Sequence, residues 1–302
     1  MALFARTRGN QFDSQTSLGE LRGYYAALFS RFGEPQADAK FQPAKLGLIN
    51  GEWVHVANAA RERLILYFHG GGFVAGSPQT HRTLVAKLAH AAEASALSID
   101  YRLAPECPFP SAVRDGVDVY RHLITNNVSP GSIVLAGDGA GGGLAFAACV
   151  AIRNGGMPMP AGIVAMSPWA DLSLSGWSMM DNAKHDQQLA WDVLFVSARN
   201  YLKRMNPNDP YASPAFANFK DFPPIMVHAG SREILRDDAS RLGDRAAEAN
   251  VPVSIEIYDG MQHLFQADAN LRESGLSLGR LGNFIRTRTR SPAPALRGMA
   301  GE

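Results

Sequence analysis

Cysteine is scarce in this chain, which has only Cys107 and Cys149 among its 302 residues. The two cysteines match no metal-ligand spacing, and nothing in their positions suggests a disulfide between them. We therefore expect two reduced thiols in a cytoplasmic protein, with no structural metal held by cysteine.

An excess of charge of either sign is also missing. The formal net charge is +1, so no strong electrostatic field would draw nucleic acid or an anionic membrane to the protein. Three arginines gather near the C-terminus, Arg286, Arg288 and Arg290. Three such residues in a tail are more typical of a solvated end than of a binding patch.

Long apolar runs are absent as well. No run approaches the 18 residues or so that would span a bilayer, and residues 1–12 lack the apolar core of a signal peptide. Hydrophobic residues make up 46% of the chain and charged residues 19%, which is an ordinary balance for a globular protein. The length suits one large α/β domain, or one domain with a modest cap.

Short apolar runs alternate with helical patterns along most of the chain. The predicted strands cover residues 46–56 (with a hairpin turn at Asn50-Gly51), 64–68, 96–99, 133–136, 163–166, 225–229 and 253–258. Apolar residues at helical spacing predict helices at 84–92, 113–124, 140–153, 238–249 and 274–287. This alternation predicts the α/β class, with a mostly parallel central sheet flanked by helices on both faces.

Two segments do not fit the alternation. Residues 18–32 form an amphipathic pattern before the first strand, and residues 172–215, rich in Trp, Met, Asp and Pro, include a predicted helix near 190–204. We expect both to lie over the carboxyl edge of the sheet, where such folds bind ligands. The predicted organisation is a single domain over residues 1–302, with a small α-helical cap formed by about 1–45 and 172–215.

A glycine-rich turn follows the predicted strand at 133–136 and opens a helix. Its sequence, from Gly137 to Gly142, is Gly-Asp-Gly-Ala-Gly-Gly. This is the place of the G-x-S-x-G nucleophile elbow, which forces its central residue into a strained left-handed conformation. The central residue here is Gly139, which has no side chain to attack a substrate.

The same turn also satisfies G-x-G-x-x-G, the pattern of a dinucleotide-binding loop, at Gly137, Gly139 and Gly142. Three observations argue against that function. The pattern does not lie on the first strand–helix turn, and Asp138 would put a negative charge beside the pyrophosphate. No ribose-binding acid ends the next strand, which is followed by Ser167-Pro168-Trp169.

A second glycine motif, from His69 through Gly70 and Gly71 to Gly72, comes directly after the strand at 64–68. Such a loop can point backbone N–H groups into a shared hollow, as in the oxyanion hole of lipases and esterases, with a further N–H from Ala140. A flexible glycine turn is the alternative, but the elbow pattern later in the chain favours the oxyanion hole. We expect His69 to hold the loop by hydrogen bonding.

The general base is expected late in the chain, because this fold orders its triad as nucleophile, acid and base. Of the eight histidines, only His263 follows the last predicted strand, at the edge where the elbow emerges. His228 lies inside an apolar strand and is more typical of a core residue.

Three carboxylates follow the strand at 225–229 and are candidates for the acid. Asp237 and Asp238 are placed to begin a helix, where negative charge favours the N-terminal dipole. Glu233 lies in the loop nearest the strand end, and we favour it as the group that orients His263, with Asp237 as the second choice.

Together these motifs make the chain resemble the bacterial hormone-sensitive-lipase family of esterases, over nearly the whole length after residue 60. The matching motifs are His69-Gly-Gly-Gly72, Asp100-Tyr-Arg-Leu-Ala-Pro-Glu106, Phe109-Pro110, Gly137-Asp-Gly-Ala-Gly-Gly142, Ser167-Pro-Trp169 and Gly260-Met-Gln-His263. The resemblance implies an α/β-hydrolase fold, a Ser–Asp/Glu–His triad and a helical cap. It also implies a small-molecule ester as partner and no metal or organic cofactor.

Carried over by position, the resemblance makes Gly71, Gly72 and Ala140 the donors of the oxyanion hole and His263 the base. The family acid stands two residues before the leucine of an Asp-Pro-Leu-like triplet. That triplet is Glu233-Ile234-Leu235 here, which supports Glu233 although aspartate is commoner at this position.

The main departure from the family is Gly139, where the family has serine. One explanation is a carboxylesterase whose nucleophile has been deliberately removed, leaving it inactive or nearly so. The other is a natural relative that binds small molecules without turnover. The retained base, acid and oxyanion loop favour the first explanation. A homodimer through an edge strand or helix is plausible.

Overall fold

The computed structural model describes residues 12–13 and 15–289, and its centre is one eight-stranded sheet. The strands are β1 (Lys40–Leu46), β2 (Ile49–His55), β3 (Ala60–Phe68), β4 (Ala94–Asp100), β5 (Ile133–Asp138), β6 (Gly162–Met166), β7 (Ile225–Gly230) and β8 (Val253–Tyr258). Their order is β1-β2-β4-β3-β5-β6-β7-β8. β2 is antiparallel to both of its neighbours, and the strands from β4 to β8 in that order are parallel.

Helices connect most of the strands. They are α1 (Leu18–Phe29), α2 (Pro78–Ala92), α3 (Ser111–Thr125), α4 (Gly139–Asn154), α5 (Ser178–Asp181), α6 (Trp191–Leu202), α7 (Arg236–Glu248) and α8 (Arg272–Arg288). The predicted α/β class and the mostly parallel sheet are therefore confirmed. The predicted helix at 18–32 is α-helical only to Phe29 and ends in a single 3₁₀ turn, Ser30–Phe32.

The direction of the crossovers decides which face each helix covers. The chain moves one way across the sheet from β3 through α2 to β4, and the other way through α3, α4 and α7. Because parallel crossovers are right-handed, α2 lies on one face and these three helices lie on the other. α8 packs against α2. Both faces are thus covered, and residues 65–68 and 133–136 are fully buried.

The predicted turn at Asn50-Gly51 is wrong, because those two residues lie within β2. The turn is Gly47-Leu48, and Leu46 pairs with Ile49 across it. Gly51 is needed for another reason: a Cβ atom there would lie 2.8 Å from the carbonyl oxygen of Ser98 in β4. Glycine at this position permits the close approach of β2 and β4.

α1 packs against the segment that contains α6. The Tyr25 hydroxyl and the Ser197 hydroxyl are 3.1 Å apart, and the Tyr24 hydroxyl donates to the carbonyl of Gln188. These contacts join the two segments that the sequence predicts as a cap.

The boundaries of that cap stay a prediction, with one correction. Residues 40–45, which were assigned to the cap, form most of β1 at the edge of the sheet. Residues 1–11 and 14 of the proposed cap lie outside the described residues. Sequence patterns do not reveal this strand, because both of its faces are largely exposed and because Pro43, which cannot donate to a ladder, is tolerated only at such an edge.

Candidate active site

Two adjacent strands bring the two glycine motifs together. Phe68 of β3 pairs with Gly137 of β5, so the loop that begins at His69 and the turn that begins at Asp138 leave the sheet side by side. The connections from β3 and into β5 run in opposite directions across the sheet. This is the topological switch point at which open α/β sheets bind ligands.

Gly139 lies at the first position of α4 with a φ of +50°. This left-handed conformation is strained for residues other than glycine. A Cβ atom built on Gly139 would lie 3.7 Å from Nε2 and 3.8 Å from Cε1 of His263, with no other contact within 4 Å among the described residues beyond its chain neighbours. A side chain at position 139 would therefore face the imidazole.

His263 and Glu233 form a buried pair. The Nδ1–H of His263 donates to Oε2 of Glu233 at 2.7 Å, and Oε1 of Glu233 accepts the backbone N–H of Gly230 at 2.8 Å. Glu233 is completely buried and His263 is 5% exposed. Because the carboxylate accepts from Nδ1, the imidazole presents Nε2 to position 139.

The other two acid candidates have different partners. Asp237 accepts the backbone N–H of Ser178 at 2.9 Å and the guanidinium of Arg236 at 3.0 Å. Asp238 is buried and accepts the backbone N–H groups of Ala170 and Asp171. Among the contacts of the described residues, only Glu233 of the three candidates reaches His263.

The charges around His263 change its basicity. Burial by itself lowers the pKa of His263, but the hydrogen bond and charge of Glu233, with further charges at Asp186 and Asp138, raise that pKa above its ordinary value. The imidazole is therefore a stronger base than an exposed histidine.

The glycine loop supplies free backbone donors. Gly71 and Gly72 have φ angles of +120° and +61°, and their N–H groups donate to no acceptor within residues 12–13 and 15–289. The N–H of Ala140 belongs to the first turn of α4, where a helix leaves its N–H groups without intrahelical partners. All three residues line the same small cavity as Gly139 and His263.

Asp138 ties the glycine loop to the elbow. Its Oδ1 accepts the N–H of Gly70 at 3.1 Å and the hydroxyl of Tyr67 at 2.7 Å, while its Oδ2 lies 3.3 Å from Nε2 of His81. Burial by itself raises the pKa of Asp138, but the charge and hydrogen bond of His81, with the hydrogen bond of Tyr67, hold that pKa below its usual value.

His69 contributes at the base of the loop. Its Nδ1–H donates to the carbonyl of Gly70 at 2.8 Å, and its own carbonyl accepts the hydroxyl of Tyr101 at 2.7 Å. Burial, with the nearby charge of His81, lowers the pKa of His69 to about 3. The ring is therefore neutral at physiological pH and supports the loop by hydrogen bonding.

The cavity at Gly139 has a volume of about 20 Å³, which is room for roughly one water molecule. Its apolar walls come from α1, from the segment around α6 and from the loops after β6, β7 and β8. They are Tyr25, Leu28, Phe29, Trp169, Leu189, Leu194, Leu235 and Leu264. A cavity of about 860 Å³ lies between the β1–β2 turn, the loop after β4 and α3, and none of the predicted site residues lines it.

A family described as alpha/beta hydrolase fold matches residues 65–267. An acetyl-hydrolase from Streptomyces hygroscopicus is 40% identical over 262 residues, which cover 86% of each chain. A crystal structure of an esterase from the bacterial hormone-sensitive lipase (HSL) family superposes with a TM-score of 0.88 at 37% identity, covering 92% of this chain and 94% of that one.

The chain belongs to the α/β-hydrolase fold family, among the hormone-sensitive-lipase esterases. An esterase from Acinetobacter venetianus (RAG-1) is 37% identical over 75% of each chain. EstE5, in a crystal soaked with p-nitrophenyl butyrate, has a TM-score of 0.89 at 35% identity, and the match covers 95% of this chain and 96% of that one. The predicted resemblance and fold are thereby confirmed.

Within this esterase fold, close packing explains the glycines that also fit the dinucleotide pattern. A Cβ atom at Gly141 would lie 2.0 Å from the carbonyl oxygen of Phe68, and one at Gly142 would lie 3.1 Å from Pro168. The glycine spacing therefore needs no bound pyrophosphate to account for it.

Several residues around the candidate site are not predicted from the sequence. His81 lies against Asp138 and Gly70, and Asp186 accepts the N–H of Ile234. The partners of both residues are distant in sequence, so no local motif marks either residue. The hydroxyl of Tyr25 at the cavity wall is equally unmarked.

Neither a membrane span nor a metal cluster occurs in the described part of the chain. No helix there combines the length and apolarity to cross a bilayer. No group of three or more His, Cys, Asp or Glu side chains there could hold a metal ion. Cys107 and Cys149 are both free.

Proposed function

We propose that this site is that of a carboxylic ester hydrolase, with position 139 as the place of the nucleophile. His263 is the general base, and Glu233 is the acid that orients it. The observation that carries the proposal is that a side chain on residue 139 would point at Nε2 of His263, whose other nitrogen is bound to Glu233.

With serine at position 139, the reaction is acyl transfer. The serine oxygen attacks the ester carbonyl while His263 takes its proton, and the N–H groups of Gly71, Gly72 and Ala140 stabilise the oxyanion. His263 then protonates the leaving alcohol and activates the water that releases the acid. The route uses no metal or organic cofactor.

With Gly139, the acyl-enzyme cannot form. We expect the chain as written to be inactive or nearly so compared with its serine form, because removal of the nucleophile in another serine hydrolase lowers turnover on the order of a millionfold. The intact Glu233–His263 pair and the free N–H groups support a hydrolase site that lacks only its nucleophile.

The substrates we propose are esters of short acyl chains. The apolar walls of the cavity support an apolar acyl group. A short acyl group is supported by two similar proteins, an acetyl-hydrolase and EstE5, whose crystal was soaked with p-nitrophenyl butyrate. We therefore expect acetate and butyrate esters to be hydrolysed faster than long-chain esters.

The test is hydrolysis of p-nitrophenyl acetate and butyrate by the Gly139→Ser variant. Gly139→Ala is the matched control, since it places a side chain at the same strained position without a hydroxyl. We expect the serine variant to exceed both other proteins and to be inactivated by phenylmethylsulfonyl fluoride. A serine variant no faster than the alanine variant would overturn the proposed function.

A further inference from the structure

The space in front of His263 is the feature that distinguishes this chain from a serine esterase. A Cβ atom at Gly139 would lie 3.7 Å from Nε2 of His263, and beyond its chain neighbours and its own helix it would meet no other described residue within 4 Å. The surrounding cavity, about 20 Å³, has room for roughly one water molecule. A water molecule hydrogen-bonded to Nε2 in this space would take the part that a serine hydroxyl plays in a serine esterase.

The groups that would activate such a water are all in place. His263 is only 5% exposed. Its Nδ1 is hydrogen-bonded to Glu233, and its Nε2 is hydrogen-bonded to no described residue. The free N–H groups of Gly71 and Gly72 line the same cavity.

We propose that the chain with Gly139 hydrolyses short-chain esters slowly by direct attack of water, without a covalent intermediate. The proposal rests on the proposed function, because it uses the same base and the same oxyanion donors.

The step balances with water as the only co-reactant. The water oxygen forms a bond to the acyl carbon while one water proton passes to Nε2 of His263, and the carbonyl oxygen becomes an oxyanion held by the backbone N–H groups. Collapse of this tetrahedral species breaks the bond to the alkoxy oxygen, which takes the proton from Nε2. The products are a carboxylic acid and an alcohol, and His263 returns to its neutral form.

Three kinetic properties separate this route from that of a serine enzyme. We expect no burst of p-nitrophenol, because no acyl-enzyme accumulates. We expect no inactivation by phenylmethylsulfonyl fluoride. We expect a rate about 10³-fold above buffer, the residual catalysis that an oxyanion hole and binding site retain without the nucleophile.

The experiment compares four proteins on p-nitrophenyl acetate after treatment with phenylmethylsulfonyl fluoride, which removes any contaminating serine esterase. They are the chain as written, His263→Ala, Gly139→Ala and Gly139→Ser, each shown to be folded by circular dichroism. In Gly139→Ala the methyl group fills part of the space proposed for the water, next to Nε2. We expect the residual rate to fall at least about tenfold in both alanine variants, because His263→Ala removes the general base and Gly139→Ala obstructs the water on which it acts.

The outcomes separate the two proposals. A residual rate that His263→Ala leaves unchanged, or that the fluoride abolishes, would overturn direct water attack. If direct water attack is overturned but the untreated serine variant is an active esterase, the proposed function is retained without the further inference. If the untreated serine variant is also inactive, the proposed function fails as well.

Discussion

Asp186 accepts the backbone N–H of Ile234 at 2.9 Å, which joins the segment before α6 to the residue directly after Glu233. Asn182 strengthens this junction, because its side-chain amide donates to the carbonyls of Ser231 and Glu233 at 2.9 and 2.8 Å. The loop that carries the proposed acid is thus held from outside by the predicted cap. This places a second carboxylate, besides Glu233, close enough to influence His263.

Asp186 is expected to be a positioning residue, and Asp186→Asn in the Gly139→Ser background tests it. The negative charge of Asp186 helps to raise the pKa of His263, so its removal lowers that pKa. His263 must be neutral to accept a proton, and therefore the acidic limb of the kcat/KM profile moves to lower pH. The kcat at the plateau falls severalfold because the loop of Glu233 is held less firmly.

The matched control is Asp181→Asn, which makes the same change at an exposed position of the same segment and is expected to leave the profile in place. An acidic limb that does not move in Asp186→Asn would contradict this role and leave Asp186 as a purely structural residue.

Glu233→Gln in the Gly139→Ser background tests the acid. Glutamine keeps the shape but no longer stabilises a positively charged imidazole, and we expect kcat to fall about 10²- to 10⁴-fold, as for acids in other triads. Asp237→Asn, which changes a residue bound to Ser178 and Arg236, is expected to lower kcat less than about tenfold, because it affects the site only through these neighbours. Steady-state kinetics on p-nitrophenyl butyrate gives both values, and a larger loss for Asp237→Asn would reverse the assignment.

The sequence predicted the parts of the fold that depend on local patterns. Buried strands such as β5 appear as continuous apolar runs because helices cover both faces of the sheet, and the glycine motifs lie where two such strands end. The order of strand, turn and helix was therefore sufficient to bring Gly139, Glu233 and His263 to the same edge.

What the sequence did not predict depends on contacts between distant residues. Asn50-Gly51 has the composition of a turn, yet Gly51 is there because β4 passes close to it. Asp186 and Ile234 are 48 positions apart, and Asp186 carries no motif. Edge strand β1 has too little buried surface to give an alternating pattern. In each case a neighbour in space, not in sequence, determines the structure.

The last prediction concerns stability, and it follows from the φ angle of +50° at Gly139. A residue with a Cβ atom held in the left-handed region costs about 1 kcal/mol or more, so Gly139→Ser and Gly139→Ala should each lower the free energy of unfolding by about 1–2 kcal/mol.

Gly275→Ala is the matched control. Gly275 lies on the exposed side of α8, where an added Cβ meets no described atom within 4 Å, and alanine there should raise the free energy of unfolding by about 0.5–1 kcal/mol. Urea unfolding measures all three variants, and a Gly139→Ala protein as stable as the chain as written would show that the elbow is not strained. The opposite signs expected for the two alanine variants separate backbone strain from the general preference for alanine over glycine. If these opposite changes in stability are found, serine at position 139 supplies the nucleophile for ester hydrolysis but lowers the stability of the fold. Glycine at that position lacks the nucleophile and relieves the backbone strain.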